Sequence, residues 1–423
     1  MLDSLRRPAS ILFASTLVGA LAGAASALFL HGLDRATRFR IEHEAIVWLL
    51  PIAGALLGLL YEKVGASVAR GNDLVIDTVH DGGPTIPARM APLVLVGTWI
   101  THLFGGSAGR EGTAVQMGAS LADTLARRFA IGGELREAML VAGMAGGFGS
   151  VFGTPLAGAV FGVEVVVVGR VRTSMLAPAL AAAFVGDAVT RALGIVHTAY
   201  PTVAAVRLDL ALAGKWVVVG LAVAATVALF IEVTHRTKAF LAARARHPVR
   251  AAMGGVAIVA LWKLTGTSDY LGLGVPGIVA AFDAPVRPWV FALKLLFTAI
   301  TLGTGFIGGE VTPLFFVGAT LGAALGPALG IPQELAAAVG LAATFGAASN
   351  APIALALMAV EIFGSGVLPH VVIVAVIAWV LAGPRSIYRA QRGLDRKPSV
   401  SWVRAAAAAA SSRPSRTKRD RGA

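Results

Sequence analysis

Long apolar runs recur along almost the whole chain. Only 14% of its 423 residues are charged, whereas ordinary soluble proteins have about 25%. Most of the surface therefore does not face water, and the pattern predicts an all-α polytopic membrane protein. The runs that are near or above the roughly 18–20 residues needed to span a bilayer lie at 8–31, 45–66, 88–104, 174–193, 211–231, 289–303, 333–348 and 368–383.

Shorter apolar pieces lie between these runs, and several are too short or too rich in glycine to span a membrane alone. The chain has 50 glycines, which permit close helix contacts and broken helices in a membrane bundle. We expect the first run, 8–31, to be a retained helix. The shorter pieces lie at 113–128, 137–149, 153–169, 251–266, 312–327 and 351–364.

The net charge of +13 is concentrated in basic clusters at 6–7, 35–40, 236–250 and 385–421. The positive-inside rule assigns these clusters to the cytoplasmic side, where they set orientation and contact lipid. They are not interpreted as a nucleic-acid site. Residues 393–423 are expected to form a basic, disordered tail.

Two stretches of the first half recur in the second half at nearly constant spacing. Residues 145–164 match 342–361 at an offset of 197, and residues 105–121 match 305–321 at an offset of 200. Transporters are often built from such repeats, with ion sites where the repeats meet. We therefore predict two halves of one transport domain, which divide between residues 200 and 201 and end at 392.

Three Gly-rich stretches interrupt the apolar sequence, at 71–74, 105–113 and 303–313. The last two lead into helical patterns, with Thr113 and Pro313 suited to a first helical turn. A helix N-terminus offers unpaired N–H groups and a partial positive charge, which together favour an anion. In a membrane, irregular backbone must be buried in protein or line an aqueous path. Three converging breaks would therefore hold one small anion at mid-depth.

At these breaks the sequence resembles the CLC family of chloride channels and anion/proton antiporters. Residues 109–112 (Gly-Arg-Glu-Gly) are similar to the family's gating-glutamate motif, and 308–313 (Gly-Gly-Glu-Val-Thr-Pro) lie where its second helix-start motif lies. Tyr388 lies where the last membrane helix of the family supplies an anion-coordinating tyrosine. The resemblance covers roughly 10–392 and implies an all-α CLC-type fold with two inverted structural repeats and broken helices.

Four departures from the chloride-transporting pattern resemble the fluoride-exporting branch of the family. Asn72 replaces a serine, Thr113 and Ile307 replace prolines, and Glu310 replaces an apolar residue. The resemblance therefore implies a fluoride/proton antiporter that exports fluoride from the cytoplasm in exchange for protons.

Glu111, Glu310 and Thr312 are the predicted gating and proton-coupling residues. Intramembrane carboxylates are costly and usually functional. The resemblance implies that Glu111 competes with the anion and leaves when protonated. The internal proton glutamate of the typical chloride/proton antiporter would fall at Val165, so Glu310 and Thr312 would act in its place. An ordinary helix cap is the alternative for Glu310.

The predicted anion-binding residues combine backbone and side-chain donors. The backbone groups belong to Gly109, Glu310 and Val311, and the side chains to Asn72, Thr312, Tyr388 and Phe306, the last through its positive ring edge. Ordinary alternatives are a turn residue for Asn72, a membrane-interface tyrosine for Tyr388 and plain packing for Phe306. The negative charge of Asp73 would repel a bound anion, so the Asp73 side chain is expected to point away from the pore.

Glu164 and Glu361 occupy equivalent places in the two repeats. Their symmetry predicts a shared structural task near helix ends. The histidines show no metal-binding spacing, and no nucleotide-binding motif or cofactor site is evident.

Other functions compete with fluoride export. A chloride/proton antiporter is disfavoured by Asn72, Thr113 and Glu310, whereas a passive anion channel stays open because both classes use a gating carboxylate. An intramembrane enzyme needs a nucleophile–base pair or metal ligands, and no Ser/His pair or cysteine supplies one. A structural scaffold does not explain paired carboxylates at broken helices.

The expected partners are fluoride or chloride, protons and membrane lipids. The resemblance implies a homodimer with one pore per subunit. The expected location is a bacterial cytoplasmic membrane, which the chain crosses several times.

Overall fold

The structure, a computed structural model, describes residues 2–80 and 84–393, so nearly all of the predicted basic tail lies outside the described residues. Within these ranges the chain forms α-helices joined by short irregular or 3-10 segments, with no named β-strand. The first eight helices are α1 (Leu2–Glu42), α2 (Leu50–Lys63), α3 (Asn72–Val79), α4 (Met90–Leu103), α5 (Glu111–Arg128), α6 (Gly133–Phe152), α7 (Pro155–Glu164) and α8 (Leu176–Ala192).

The second half repeats this order, in agreement with the predicted two-repeat fold. Each half begins with a long helix and has a very short third helix. The predicted boundary at residue 200 falls in the irregular segment between α8 and α9 and stays a prediction. The second eight helices are α9 (Leu210–Ala242), α10 (His247–Thr265), α11 (Val275–Ala280), α12 (Val290–Gly303), α13 (Val311–Leu325), α14 (Gln333–Ser349), α15 (Pro352–Phe363) and α16 (Leu368–Leu381).

The described residues contain five helical segments long and apolar enough to cross a membrane, and several shorter apolar helices lie between them. Every apolar run and piece predicted from the sequence overlaps a helix. The sequence did not predict α3 and α11 as helices. The long segments are Ala9–Glu42, Glu44–Val79, Thr173–Ala192, Leu210–Ala242 and Val311–Leu329.

Helices α4 and α5 form a re-entrant pair whose break lies inside the protein. The far end of α5 returns to the level at which α4 begins, because the Ile86 N–H donates to the Asp123 carboxylate at 2.8 Å and Arg127 donates to the Ile86 carbonyl. The break at 105–110 therefore lies at depth. A backbone bridge between Gly109 and Gly309 places the break before α13 beside it, at the same depth.

The two halves are joined by reciprocal helix caps. The carboxylate of Glu164, at the end of α7, accepts the N–H groups of Ile353 and Ala354 at 3.1 and 2.8 Å in the first turn of α15. Glu361 in α15 accepts those of Leu156 and Ala157 at 2.9 and 2.8 Å in the first turn of α7. Each carboxylate satisfies N–H groups that have no partner within their own helix. The shared structural task predicted for this pair is confirmed.

Candidate functional site

The three Gly-rich breaks meet at one place. Gly109 and Gly309 exchange backbone hydrogen bonds in an antiparallel bridge, with N···O distances of 2.5 and 2.8 Å. A Cβ atom added to Gly112 would lie 3.0 Å from the Asn72 side-chain nitrogen and 3.3 Å from the Gly309 Cα. The N-termini of α3, α5 and α13 therefore converge across the repeat interface; the sequence predicted convergence of the three breaks but not the helix that begins at the first.

Glycine is required at this junction because the backbones approach so closely. A Cβ atom on Gly109 would lie 2.9 Å from the Pro313 ring and 3.1 Å from both the Gly309 carbonyl and the Thr312 nitrogen. The turns that precede the two breaks contain Gly105 and Gly305 at φ +93° and +100°. Residues other than glycine rarely adopt a backbone conformation with such a positive φ.

Glu111 is completely buried at the first position of α5. Its carboxylate accepts the hydroxyl of Thr312 at 2.7 Å and the backbone N–H of Thr312 at 3.2 Å. The backbone and guanidinium of Arg110 lie at 3.3 and 3.4 Å from the same carboxylate. The Glu111 side chain thus occupies the donors at the N-terminus of α13, which belongs to the other repeat.

A second group of predicted site residues lies on the side of this junction that faces Arg70 and Arg389. It consists of Glu310, Asn72 and Tyr388. Glu310 immediately precedes α13, and its carboxyl group lies close to the Tyr388 hydroxyl. Its Oε1 atom and the Asn72 Oδ1 atom are buried and have no hydrogen-bond partner among the described residues. Unpaired buried oxygens are costly, so both atoms are suited to accept a hydrogen bond.

These residues line a cavity of about 420 Å³ that exposed Arg70 and Arg389 border. Phe306 is also part of its wall and is nearly completely buried. The expectation that Asp73 points away from the pore is wrong, because Asp73 lines the same cavity. Its carboxylate accepts the Ala390 backbone N–H at 3.0 Å, which accounts for an acid at this place.

The segment that carries Tyr388 is held by a buried glutamine that the sequence reasoning missed. The Gln391 amide donates to the Val165 and Ser349 carbonyls at 2.6 and 2.7 Å, and its oxygen accepts from Asn350 and Ser386 at 3.0 and 2.5 Å. All four hydrogen-bonding positions of the amide are therefore filled. At Val165, where an internal glutamate was expected to be missing, a backbone carbonyl anchors this segment.

The structure brings most of the predicted site residues together. Glu111 and Thr312 are in direct contact, Val311 begins α13 beside them, and Gly109 adjoins Thr312. Three further cavity residues were missed because their sequence neighbourhoods are ordinary helical or basic segments. These are Gln116, Lys238 and Arg250.

This arrangement is suited to hold one small anion. Helix N-termini supply N–H groups and partial positive charge, and a buried carboxylate already occupies such donors. An anion that binds the same donors must compete with the Glu111 carboxylate, and loss of the carboxylate's charge favours the anion.

Three comparisons with known proteins extend this description. Residues 53–383 match the family model described as voltage gated chloride channel. A "Chloride/fluoride channel protein" from Pseudomonas syringae pv. tomato is 46% identical over 398 residues, which are 92% of this chain and 88% of that protein.

Solved structures agree with the sequence comparisons. A crystal structure of a CLC-type fluoride/proton antiporter superposes with a TM-score of 0.86 at 36% identity, over 91% of this chain and 98% of the other. A slow cyanobacterial Cl⁻/H⁺ antiporter shares the fold, with a TM-score of 0.80 at 19% identity over 92% and 97% of the two chains. Because a family model matches well over half of the sequence and a close relative matches nearly all of it, this multi-pass membrane protein belongs to the voltage-gated chloride channel (CLC) family.

Proposed function

We propose that this protein is a fluoride/proton antiporter that exports fluoride from the cytoplasm in exchange for protons. One observation carries the proposal: the Glu111 carboxylate accepts both the hydroxyl and the N–H of Thr312. A carboxylate held this way takes the place of an anion at a helix N-terminus. The relatives described as a chloride/fluoride channel protein and a fluoride/proton antiporter support the choice of ion.

Proton and anion movements are linked through the charge of Glu111. While ionised, the carboxylate keeps its charge-assisted hydrogen bonds to Thr312 and excludes the anion. When it is protonated, these bonds weaken and the side chain can leave the site. An anion then occupies the freed donors, so the two species pass in alternation.

Glu310 and Thr312 provide the cytoplasmic half of the proton route in this proposal. Val165 carries no proton, whereas Glu310 has a buried carboxylate oxygen with no partner in the described part of the chain. Glu310 faces the cavity together with Tyr388. The Thr312 hydroxyl is bonded to Glu111 in the next position along the route.

Fluoride preference is assigned to the donors that surround the junction. Fluoride is small and loses its hydration at high cost, so it requires short, strong donors. The Asn72 amide, the Tyr388 phenol, the Thr312 hydroxyl and the first N–H groups of α13 supply them. Gly109 lets the backbone approach, and the Phe306 ring edge completes the wall.

The second candidate is a chloride/proton antiporter of the same fold, which the fold shared with a Cl⁻/H⁺ antiporter favours. Membership of a family of ion transporters decides against the intramembrane enzyme. A passive channel is distinguished from an antiporter only by coupling. We further propose a homodimer surrounded by lipid in a bacterial cytoplasmic membrane, with the basic ends on the cytoplasmic side.

Ion efflux from liposomes tests the proposal. Purified protein is reconstituted with fluoride or chloride inside, and efflux is followed with ion-selective electrodes. We expect fluoride efflux to exceed chloride efflux by about 10-fold or more, which corresponds to about 1.4 kcal/mol of discrimination. Equal or faster chloride efflux would support the chloride candidate, and efflux of neither ion would remove both.

A further inference from the structure

Two cationic side chains without an ion-pair partner among the described residues line the 420 Å³ cavity beside the junction. Lys238 lies in α9 and Arg250 in the first turns of α10, and both line the cavity. The carboxylates of Asp73 and Glu310 belong to the same cavity and act on Lys238 together with Arg250, but neither comes within ion-pair distance of it. Among the described residues neither cation forms a salt bridge, in contrast to Arg70, which pairs with Asp77.

Unused hydrogen-bond donors lie beside these cations. The Arg250 Nε atom and the Thr234 hydroxyl are both buried and have no partner in the described part of the chain. Thr234 and Lys238 are four residues apart in α9 and therefore share one helix face. Both are cavity residues, so the donors and the charge face the same space.

The Arg250 side chain also lies next to the second Gly-rich break. Its Nε atom is 3.3 Å from the position of a Cβ atom added to Gly305, whose carbonyl is held by His247 at 2.8 Å. Gly305 adjoins Phe306 and the segment that leads to Glu310. An ion bound at Arg250 would therefore lie directly before the converging helix N-termini.

Buried donors without acceptors are costly, and like charges in one cavity repel each other. A small anion would accept from both the Arg250 Nε–H group and the Thr234 hydroxyl, and it would offset the excess of positive charge that Lys238, Arg250, Arg70 and Arg389 give this cavity. The other basic groups of the cavity are less suited, since Arg389 donates to His235 at 3.4 Å and Arg70 is paired with Asp77.

We infer that Thr234, Lys238 and Arg250 form a separate capture site for a small halide anion at the basic, cytoplasmic mouth of the cavity. The inference rests on the proposed function for the direction of transport. Positive charge in a cleft raises the local concentration of an anion. An exporter working at low cytoplasmic fluoride benefits from this, because its loading step becomes faster.

Inside-out membrane vesicles test the site, because their outer face is the cytoplasmic face. A proton gradient drives fluoride uptake, and the initial rate is measured against external fluoride. Arg250→Gln should raise the half-saturating fluoride by about 10-fold, with the maximal rate unchanged. Arg250→Lys should recover most of the affinity, because it keeps the charge. The shift should shrink in high salt, which screens charge.

Arg244→Gln is the matched control, because it removes one arginine charge from the short segment between α9 and α10, close in sequence to Arg250. Arg244 is exposed, stacks on Phe240 at 3.7 Å and does not line the cavity. Its half-saturating fluoride should equal that of the wild type. An equal shift in both variants, or the same Arg250→Gln shift in right-side-out vesicles, would overturn the capture site.

A binding measurement separates this inference from the proposed function. Purified protein is titrated with sodium fluoride in a calorimeter, where Arg250→Gln should lose a binding event that Arg244→Gln retains. If wild-type vesicles move no fluoride but this difference is present, the proposed function fails and the site stands. If the two variants bind fluoride alike, the site is overturned whatever the transport result.

Discussion

The hydroxyl of Thr312 lies 2.7 Å from both carboxylate oxygens of Glu111, although the two residues are 201 positions apart in the chain. Each repeat supplies one partner: Glu111 begins α5 and Thr312 lies in the first turn of α13. The backbones of Gly109 and Gly309 pair beside this contact and hold the two helix starts together. The repeat interface thus brings a titratable group to an anion-binding helix terminus.

Removal of the Thr312 hydroxyl should weaken the hold on Glu111. Thr312→Val keeps the shape and loses a charge-assisted hydrogen bond worth about 1.5–3 kcal/mol. We expect proton-coupled fluoride flux to fall by about 10-fold or more, because the variant lacks the hydroxyl that links Glu111 to Glu310 in the proposed proton route. Thr312→Ser keeps the hydroxyl and should retain most of the flux in the same liposome assay. Equal losses in both variants would show that the hydroxyl is not the determinant.

A methyl group at Gly109 should disrupt the junction. The new Cβ atom would lie 2.9 Å from the Pro313 ring, so backbone must shift. We expect Gly109→Ala to lower the free energy of unfolding by about 1–3 kcal/mol, measured by thermal unfolding in detergent, and to reduce flux. Gly132→Ala is the control, because a Cβ atom there meets nothing within 4 Å. A stable, active Gly109→Ala protein would contradict the close approach.

Gln391 should act on transport by positioning Tyr388. Gln391→Leu leaves the Val165 and Ser349 carbonyls without a donor and should raise the half-saturating fluoride several-fold. Gln333→Leu is matched to it, because the Gln333 amide also donates to two backbone carbonyls, those of Ala281 and Ala284 at 3.0 and 2.7 Å. The control should lose stability without a change in fluoride affinity. A shift of the same size in the control would make Gln391 merely structural.

The reciprocal caps should contribute to stability and leave anion affinity unchanged. Glu164→Gln and Glu361→Gln each weaken a charged cap, at a cost of about 0.5–2 kcal/mol. Because the two carboxylates cap different helices, the losses should add in the double variant. Chemical unfolding of the purified protein measures this, and half-saturating fluoride provides the second reading. An altered fluoride affinity in Glu164→Gln would place that residue on the ion route.

Most of the fold could be predicted because bilayer-length apolar runs have few possible structures. Each predicted run overlaps a helix, and the repeated motifs at 105–121 and 305–321 lie at matching breaks. Helices α3 and α11 could not be predicted, because 8 and 6 residues are too few to show a helical period. Their positions depend on the packing of the longer helices around them.

The site residues that belong to a recognisable motif could be predicted, whereas those that are brought to the site by tertiary packing could not. Glu111, Glu310 and Thr312 lie at marked breaks, whereas Gln391 is in an arginine-rich segment that indicates only a membrane edge. The expectation for Asp73 failed because its partner, the Ala390 amide, is 317 positions away. Contacts of this kind follow from the tertiary fold and leave no local signal in the sequence.

Proton coupling through Glu111 is the central claim, and simultaneous fluoride and pH recording from liposomes tests it most directly. An outward fluoride gradient is imposed at equal pH, with the membrane voltage clamped by potassium and valinomycin. The account predicts that wild-type fluoride efflux drives protons uphill into the liposomes. In Glu111→Gln, fluoride movement should no longer move protons. Wild-type fluoride efflux without proton uptake, or unchanged proton uptake in Glu111→Gln, would contradict the account.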